Sequence, residues 1–263
     1  CKFVFHMEQT FYKYQGTGND FILIDDRKKF FDINDENLIS ALCERKMGIG
    51  ADGLILLRDH NEFDFEMIYF NSDGMQSSMC GNGGRCIVDF ARLLEIITNE
   101  TTFLAIDGIH KARIDNEEVF LQMRDVNSIQ EIDNGLFLDT GSPHFVKMVD
   151  NFDSLNVTNE GKKIRNSSSF KTKGVNVNFV LDSNDIQVRT YERGVEAETL
   201  SCGTGVVATA LALHHANCID ESIVHINTKG GGLSVSFEVF NETYRNIWLS
   251  GAVSLVYIGD FEC

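Results

Sequence analysis

Met79-Cys80-Gly81-Asn82-Gly83-Gly84-Arg85 and Ser201-Cys202-Gly203-Thr204-Gly205-Val206-Val207 are two copies of one local pattern, set nearly half the chain apart. Each opens with a cysteine, turns on glycines and runs into a stretch whose apolar residues recur at helical spacing. After Cys80 these are Cys86, Phe90, Leu93, Leu94 and Ile97, and after Cys202 they are Val206, Val207, Ala210, Leu211 and Leu213. The spacing predicts two similar halves facing each other, each with a cysteine just ahead of an amphipathic helix. A helix N-terminus carries unpaired N–H groups and a partial positive charge, which favours thiolate over thiol. The same N–H groups, at Gly81, Asn82, Gly203 and Thr204, are suited to cradling a carboxylate. Gly83 and Gly205 are read as glycines that let the backbone come close to such a ligand.

Outward from the two motifs, strand-like runs dominate. They include Phe21–Ile24, Leu54–Leu57, Phe65–Phe70, Val119–Met123, Val175–Val180, Ile186–Tyr191 and Leu233–Val239. Ser72-Asp73-Gly74, Asp133-Asn134-Gly135 and Lys229-Gly230-Gly231-Gly232 punctuate them as turns. Asp35 to Cys43 reads as a further helix capped by Asn34 or Asp35, and residues 151 to 173, rich in Asn, Ser and Lys, as an exposed segment. The fold class predicted is α+β, each half a bent, mostly antiparallel sheet wrapped around one central helix.

Charge and composition set limits. Lys plus Arg total 23 against 39 Asp plus Glu, a net charge of -16, which argues against nucleic acid and anionic membrane as partners. No apolar run is long enough for a membrane span. The seven cysteines have neither framework spacing nor a CxxC pair, so a disulfide scaffold and a zinc or other metal site are not expected, and a reducing, cytoplasmic compartment is. Met7 reads as the natural start, with residues 1 to 6 appended.

Four further segments make the pattern specific: Phe11-Tyr12-Lys13-Tyr14-Gln15-Gly16-Thr17-Gly18-Asn19-Asp20-Phe21, Phe70-Asn71-Ser72-Asp73-Gly74, Gly174-Val175-Asn176-Val177-Asn178-Phe179 and Tyr191-Glu192-Arg193-Gly194. With the two cysteine motifs, and in this order, they resemble the diaminopimelate epimerase family, cofactor-independent enzymes of lysine and peptidoglycan-precursor synthesis. The resemblance implies two domains, 1–124 with 253–263 and 125–252, the last strand returning to the first domain. It implies Cys80 and Cys202 as a two-base pair inverting an α-carbon between LL- and meso-2,6-diaminopimelate, Cys80 donating when the LL isomer reacts and Cys202 accepting. The residues alone leave open which does which. One thiolate and one thiol sharing a single negative charge is the state such chemistry needs.

The remaining candidates follow residue by residue. Asn19, Asn71 and Asn176 each adjoin a strand-like run, where an Asn that bonds its own backbone is the plainer reading. The resemblance instead assigns them to the distal end of the substrate. Arg193 matches a residue that pairs the distal carboxylate, Glu192 one that accepts from a substrate ammonium, and His144 a histidine that tunes the thiol pair. Ser142 stands where the family commonly has Asn, and Gly53 where some members have Gln, so any contact from Gly53 is through backbone. Glu192 to Cys202 is one residue longer than usual, a surplus expected to bulge outward at Val195-Glu196-Ala197-Glu198. Tyr257 matches a tyrosine at a homodimer interface. Proline racemases resemble this pattern in using paired cysteines, and phenazine-type isomerases share the fold without them. A non-catalytic dithiol that switches by forming a Cys80 to Cys202 disulfide is the alternative from another class.

Overall fold

In the first half the chain forms strands β1 (Glu8–Gly16) and β2 (Asn19–Asp25), helix α1 (Glu36–Cys43), strands β3 (Gly53–Arg58) and β4 (Glu66–Asn71), helix α2 (Gly81–Leu93), and strands β5 (Glu100–Ala105) and β6 (Gly108–Asp115). The computed structural model describes residues 8–77, 79–181 and 185–262. The expected start at Met7, the appended residues 1 to 6, and Cys263 lie outside them. Strand β7 (Glu118–Gln122) carries the chain onward to β8 (Gln130–Ile132), β9 (Gly135–Asp139), β10 (Pro143–Met148), helix α3 (Val157–Arg165), β11 (Asn176–Leu181), β12 (Gln187–Glu192) and β13 (Ala197–Thr199). Helix α4 (Gly203–His215) and strands β14 (Ile223–Thr228), β15 (Gly231–Phe240), β16 (Thr243–Ala252) and β17 (Ser254–Glu262) complete it. Two compact units result: one holds the chain up to Val119 together with the segment from Val253 onward, the other Phe120–Ala252.

The repeat read from the cysteine motifs extends through the strand pairing. In the first unit, successive pairs β1–β2, β2–β3, β3–β4, β4–β5 and β5–β6 run antiparallel, parallel, antiparallel, parallel, antiparallel. In the second unit β9–β10, β10–β11, β11–β12, β12–β14 and β14–β15 follow the same alternation. The cause is connectivity. Each helix lies between two strands and returns the chain to the same sheet, which makes the pair it joins parallel, while two-residue turns at Thr17-Gly18, Ile106-Asp107 and Lys229-Gly230 make β1–β2, β5–β6 and β14–β15 antiparallel. The turn between β8 and β9 illustrates the second case: Asp133 and Asn134 both take left-handed backbone, with φ of 49° and 59°, the geometry of a two-residue hairpin that matches strand twist.

Two local expectations are corrected and a third is refined. Helix α4 is not amphipathic: Gly203 and every residue from Gly205 to Leu213 are buried, because the sheet of its unit curls around it and leaves no wet face. In α2 the first turns are likewise buried on all sides, and it is Leu93, counted as a core position, that is exposed. Residues 151 to 173 are largely exposed, as read, and within them the helix α3 forms. Asn156 caps it by accepting from the Asn159 N–H at 3.0 Å, and Val157 and Gly161 face the sheet. At α1 the choice of cap falls to Asp35, whose carboxylate accepts the Leu38 N–H at 2.9 Å.

Candidate active site

In the first unit one rim of the sheet collects the start of β2, the start of β3, the end of β4 and the first turn of α2. Asn19, Gly53, Asn71, Cys80, Gly81 and Asn82 occupy that rim, Gly53 pairing directly with Asn71. A chain of amides fixes it: Asn82 donates to the Asn19 carbonyl oxygen at 2.6 Å, and Asn19 donates to Asp52 at 2.8 Å. Thr17 donates to Asn82 at 3.4 Å from a turn with φ of 50°. Cys80 is the N-cap residue of α2, with extended backbone, and Gly84 returns the first helical bond to its carbonyl at 2.7 Å. The N–H groups of the preceding three positions therefore fall outside the helical ladder. Gly53 is required by packing: a Cβ there meets the Phe70 carbonyl at 2.4 Å and the Tyr69 ring at 2.6 Å, so this backbone excludes Gln at that position.

The second unit repeats the arrangement. His144 is the second residue of β10, Asn176 begins β11 in register with it, Glu192 ends β12, and Cys202 is the N-cap residue of α4. His144 is fully buried. Asn178 donates to its Nδ1 at 3.0 Å, and the same amide nitrogen reaches the Phe145 carbonyl, while Thr190 donates to the Asn178 oxygen at 2.9 Å. An acceptor Nδ1 places the ring proton on Nε2, and Nε2 lies 2.9 Å from the Thr204 hydroxyl. Thr204 in turn lies 3.5 Å from the Cys202 sulfur, with its own proton free to point there. Burial, with the nearby Arg193 charge adding to it, brings the His144 pKa down to about 3, so the imidazole is neutral at neutral pH. With the proton on Nε2 the ring donates to the hydroxyl, which can then donate to sulfur; the Asn176 amide nitrogen also lies 3.5 Å from Nε2.

Asn176 acts as a clamp. Its nitrogen donates to Ser142 Oγ at 2.9 Å and to the Pro143 carbonyl at 3.2 Å, and its oxygen accepts the Arg193 N–H at 2.8 Å. Ser142 therefore meets Asn176. Arg193 itself is exposed, its guanidinium anchored at 3.0 Å to the Lys173 carbonyl, and Glu192 is half-buried. After Glu192 the chain turns with Val195 exposed, but Ala197 and Glu198 do not bulge outward: they lie in β13, paired with β12, and Glu198 bonds Arg189 and Lys229. A surface concavity of the same unit, lined by Asn151, Asn156, Asn159 and Lys163, contains none of these residues.

The glycine reading needs revision. A Cβ at Gly205 meets the Asn178 amide oxygen at 2.4 Å, and one at Gly83 meets Ile55 and the Phe21 ring. Their freedom serves internal packing, Gly205 by admitting the amide that orients His144. Asn178, Thr190 and Thr17 were given no role by sequence. Asn178 was findable, because it alternates with Asn176 at the strand period and shares its face.

A family model described as diaminopimelate epimerase matches residues 11–128 and 136–256. Curated relatives named diaminopimelate epimerase include one from Flavobacterium psychrophilum, 52% identical over 94% of this chain and 97% of its own, and one from Chlorobaculum tepidum, 41% identical over 93% and 98%. Among solved structures, a phenazine biosynthesis protein of the PhzF family from Bacillus anthracis superposes with a TM-score of 0.76 at 13% identity, covering 97% of this chain and 99% of its own. A probable proline racemase from Agrobacterium radiobacter gives 0.62 at 15%, covering 95% and 92%. At such identities the two structures speak for the shared two-domain α+β fold alone.

Proposed function

The chain belongs to the diaminopimelate epimerase family, and on that premise we propose that it interconverts LL- and meso-2,6-diaminopimelate without a cofactor, using Cys80 and Cys202 as its acid and base. The observation that carries the reading is the repeat. In each unit a half-buried cysteine caps the N-terminus of a buried helix, with no side-chain cap of its own and a first turn of N–H groups beyond it. Inverting a stereocentre takes a base on one face of the carbon and an acid on the other, and two equivalent thiols sharing one negative charge supply both. The carbanion is the costly species. N–H groups of Gly81, Asn82, Gly203 and Thr204 are the donors for the carboxylate onto which its charge spreads.

Arg193, with Glu192, Asn19, Asn71 and Asn176, is assigned to the far amino-acid head of the substrate, Asn176 chiefly by holding Arg193 and Ser142 in place. Gly53 contributes backbone alone. His144 acts on Cys202 through Thr204. The enzyme works as a cytoplasmic homodimer in lysine biosynthesis. Seven cysteines without the spacing of a disulfide framework support a reducing compartment. Leu255, Val256, Tyr257 and Ile258, consecutive and exposed on β17, support a partner surface there, since a strand rarely leaves four large apolar residues in water.

The test is conversion of pure LL-diaminopimelate by the purified, reduced protein, followed by separation of the isomers. Accumulation of the meso form with no added cofactor is expected, and turnover of proline at a comparable rate overturns the assignment. Sedimentation of wild type and Tyr257→Ala at micromolar concentration tests the dimer: a wild-type monomer ends that part of the reading.

A further inference from the structure

Among the described residues Arg85 is the largest fully buried side chain, and it lies one turn into α2, directly after the glycines that follow Cys80. Its guanidinium donates to Thr17 Oγ1 at 2.8 Å and to the Gly81 carbonyl at 3.4 Å, while Nε is buried with no hydrogen-bond partner. Among the described residues it joins no ion pair with a carboxylate. Removing a full positive charge from water without a counter-charge costs several kcal/mol, so an anion nearby is the expected companion.

The titratable groups whose charges reach it are Cys86, Cys80 and Glu118. Glu118 is exposed on β7, where water screens it. Cys86 is fully buried, and burial pushes its thiol far up, so it stays protonated. Other charged groups around α2 are engaged elsewhere: Asp89 with Arg92 and Tyr14, Asp107 with His110, and Lys13 with Asp20. Asp107, which also accepts the Met79 N–H at 3.4 Å, opposes a negative charge at the next residue rather than supplying one to Arg85. Cys80 remains.

We propose that Arg85 is the buried counter-cation of Cys80, so that in the resting enzyme the single negative charge of the cysteine pair sits on Cys80. This rests on the reading of Cys80 as an acid–base residue, and Arg85 is a positioning residue that acts through it. At Cys202, by contrast, the neutral hydroxyl of Thr204 lies 3.5 Å from the sulfur, and a charged donor is worth roughly twice a neutral one. A resting Cys80 thiolate with a Cys202 thiol is the form that takes a proton from the meso isomer, since the resemblance has Cys80 donating when the LL isomer reacts.

The test reads the thiol without turnover, so it stays separate from whether the substrate is diaminopimelate. Iodoacetamide alkylation of Cys80 is followed against pH by peptide mass mapping in a Cys202→Ser background, with the exposed Cys218 as internal reference. With Arg85 in place, the Cys80 midpoint is expected at least one pH unit below the ordinary thiol value of about 8.5. Arg85→Met is expected to raise it by one pH unit or more, with Arg85→Lys between the two. A midpoint at or above the ordinary value with Arg85 present, or one that Arg85→Met leaves unmoved in a folded protein, overturns the proposal. The first of these needs no Arg85 variant, so a failure of Arg85→Met to fold does not shelter it.

Discussion

The two cysteine-led helices begin alike and are served differently. At α2 a buried guanidinium lies behind the first turn, and at α4 a neutral chain runs from Asn178 through His144 and Thr204 to sulfur. The strand pairing around them repeats, so the difference lies in side chains rather than in architecture. A pair of thiols that must trade one proton needs an asymmetric resting state, because two thiolates repel and two thiols have no base. Placing a cation on one side and a polarisable neutral relay on the other breaks that symmetry while leaving the alternative charge placement accessible.

The largest effect expected is loss of either thiol. Cys80→Ala and Cys202→Ala should each lower epimerisation by about 10²- to 10⁴-fold, the range of one acid or base. Initial rates with intact circular dichroism check this, and more than a few per cent of activity in both variants breaks the two-thiol account. Arg193→Lys should raise KM by about tenfold or more with a smaller change in kcat, because one ammonium replaces a planar fork whose charged bonds are worth about 1.5–3 kcal/mol.

His144 sharpens the contrast through pH. Its folded pKa of about 3 lies below the unfolded value, so the unfolded chain binds a proton first as pH falls. Its contribution is therefore fully present above about pH 6.5 and lost progressively toward pH 3, amounting to about 2 kcal/mol at pH 5. Urea midpoints at pH 7.5 and 5 should fall further for wild type than for His144→Gln, and equal falls refute a neutral buried ring. The smallest effect is Thr204→Val, worth about 1 kcal/mol, or roughly fivefold in rate. It should slow alkylation of Cys202 at neutral pH and leave that of Cys80 unchanged.

Much of this arrangement was legible in the sequence. The cysteine–glycine repeat announced two helices, and both begin at the residue after the cysteine. Amphipathicity failed for α4 because period alone does not tell a helix packed on one side from one surrounded by a curled sheet. Helix α3 was hidden by its polar composition, yet the repeat held the signal: α1 falls between the parallel strands β2 and β3, and α3 falls between β10 and β11 in the same way. The candidate residues Asn19, Asn71, Asn176 and Glu192 were picked out through their motifs, and the structure places them at strand ends. Arg85 was quoted within one of them and passed over, since a charged residue in a helix is ordinarily solvent-facing, and only burial on every side of α2 reveals its role.

The central claim, that two thiols exchange a proton with opposite faces of one carbon, is tested most directly in D2O. Reduced enzyme is given LL-diaminopimelate, and deuterium is measured in substrate and product during the first few per cent of conversion. Two-base inversion predicts one deuterium at the inverted carbon of the meso product and almost none in recovered LL substrate. Product that keeps the original proton, or substrate that exchanges faster than it inverts, contradicts the account.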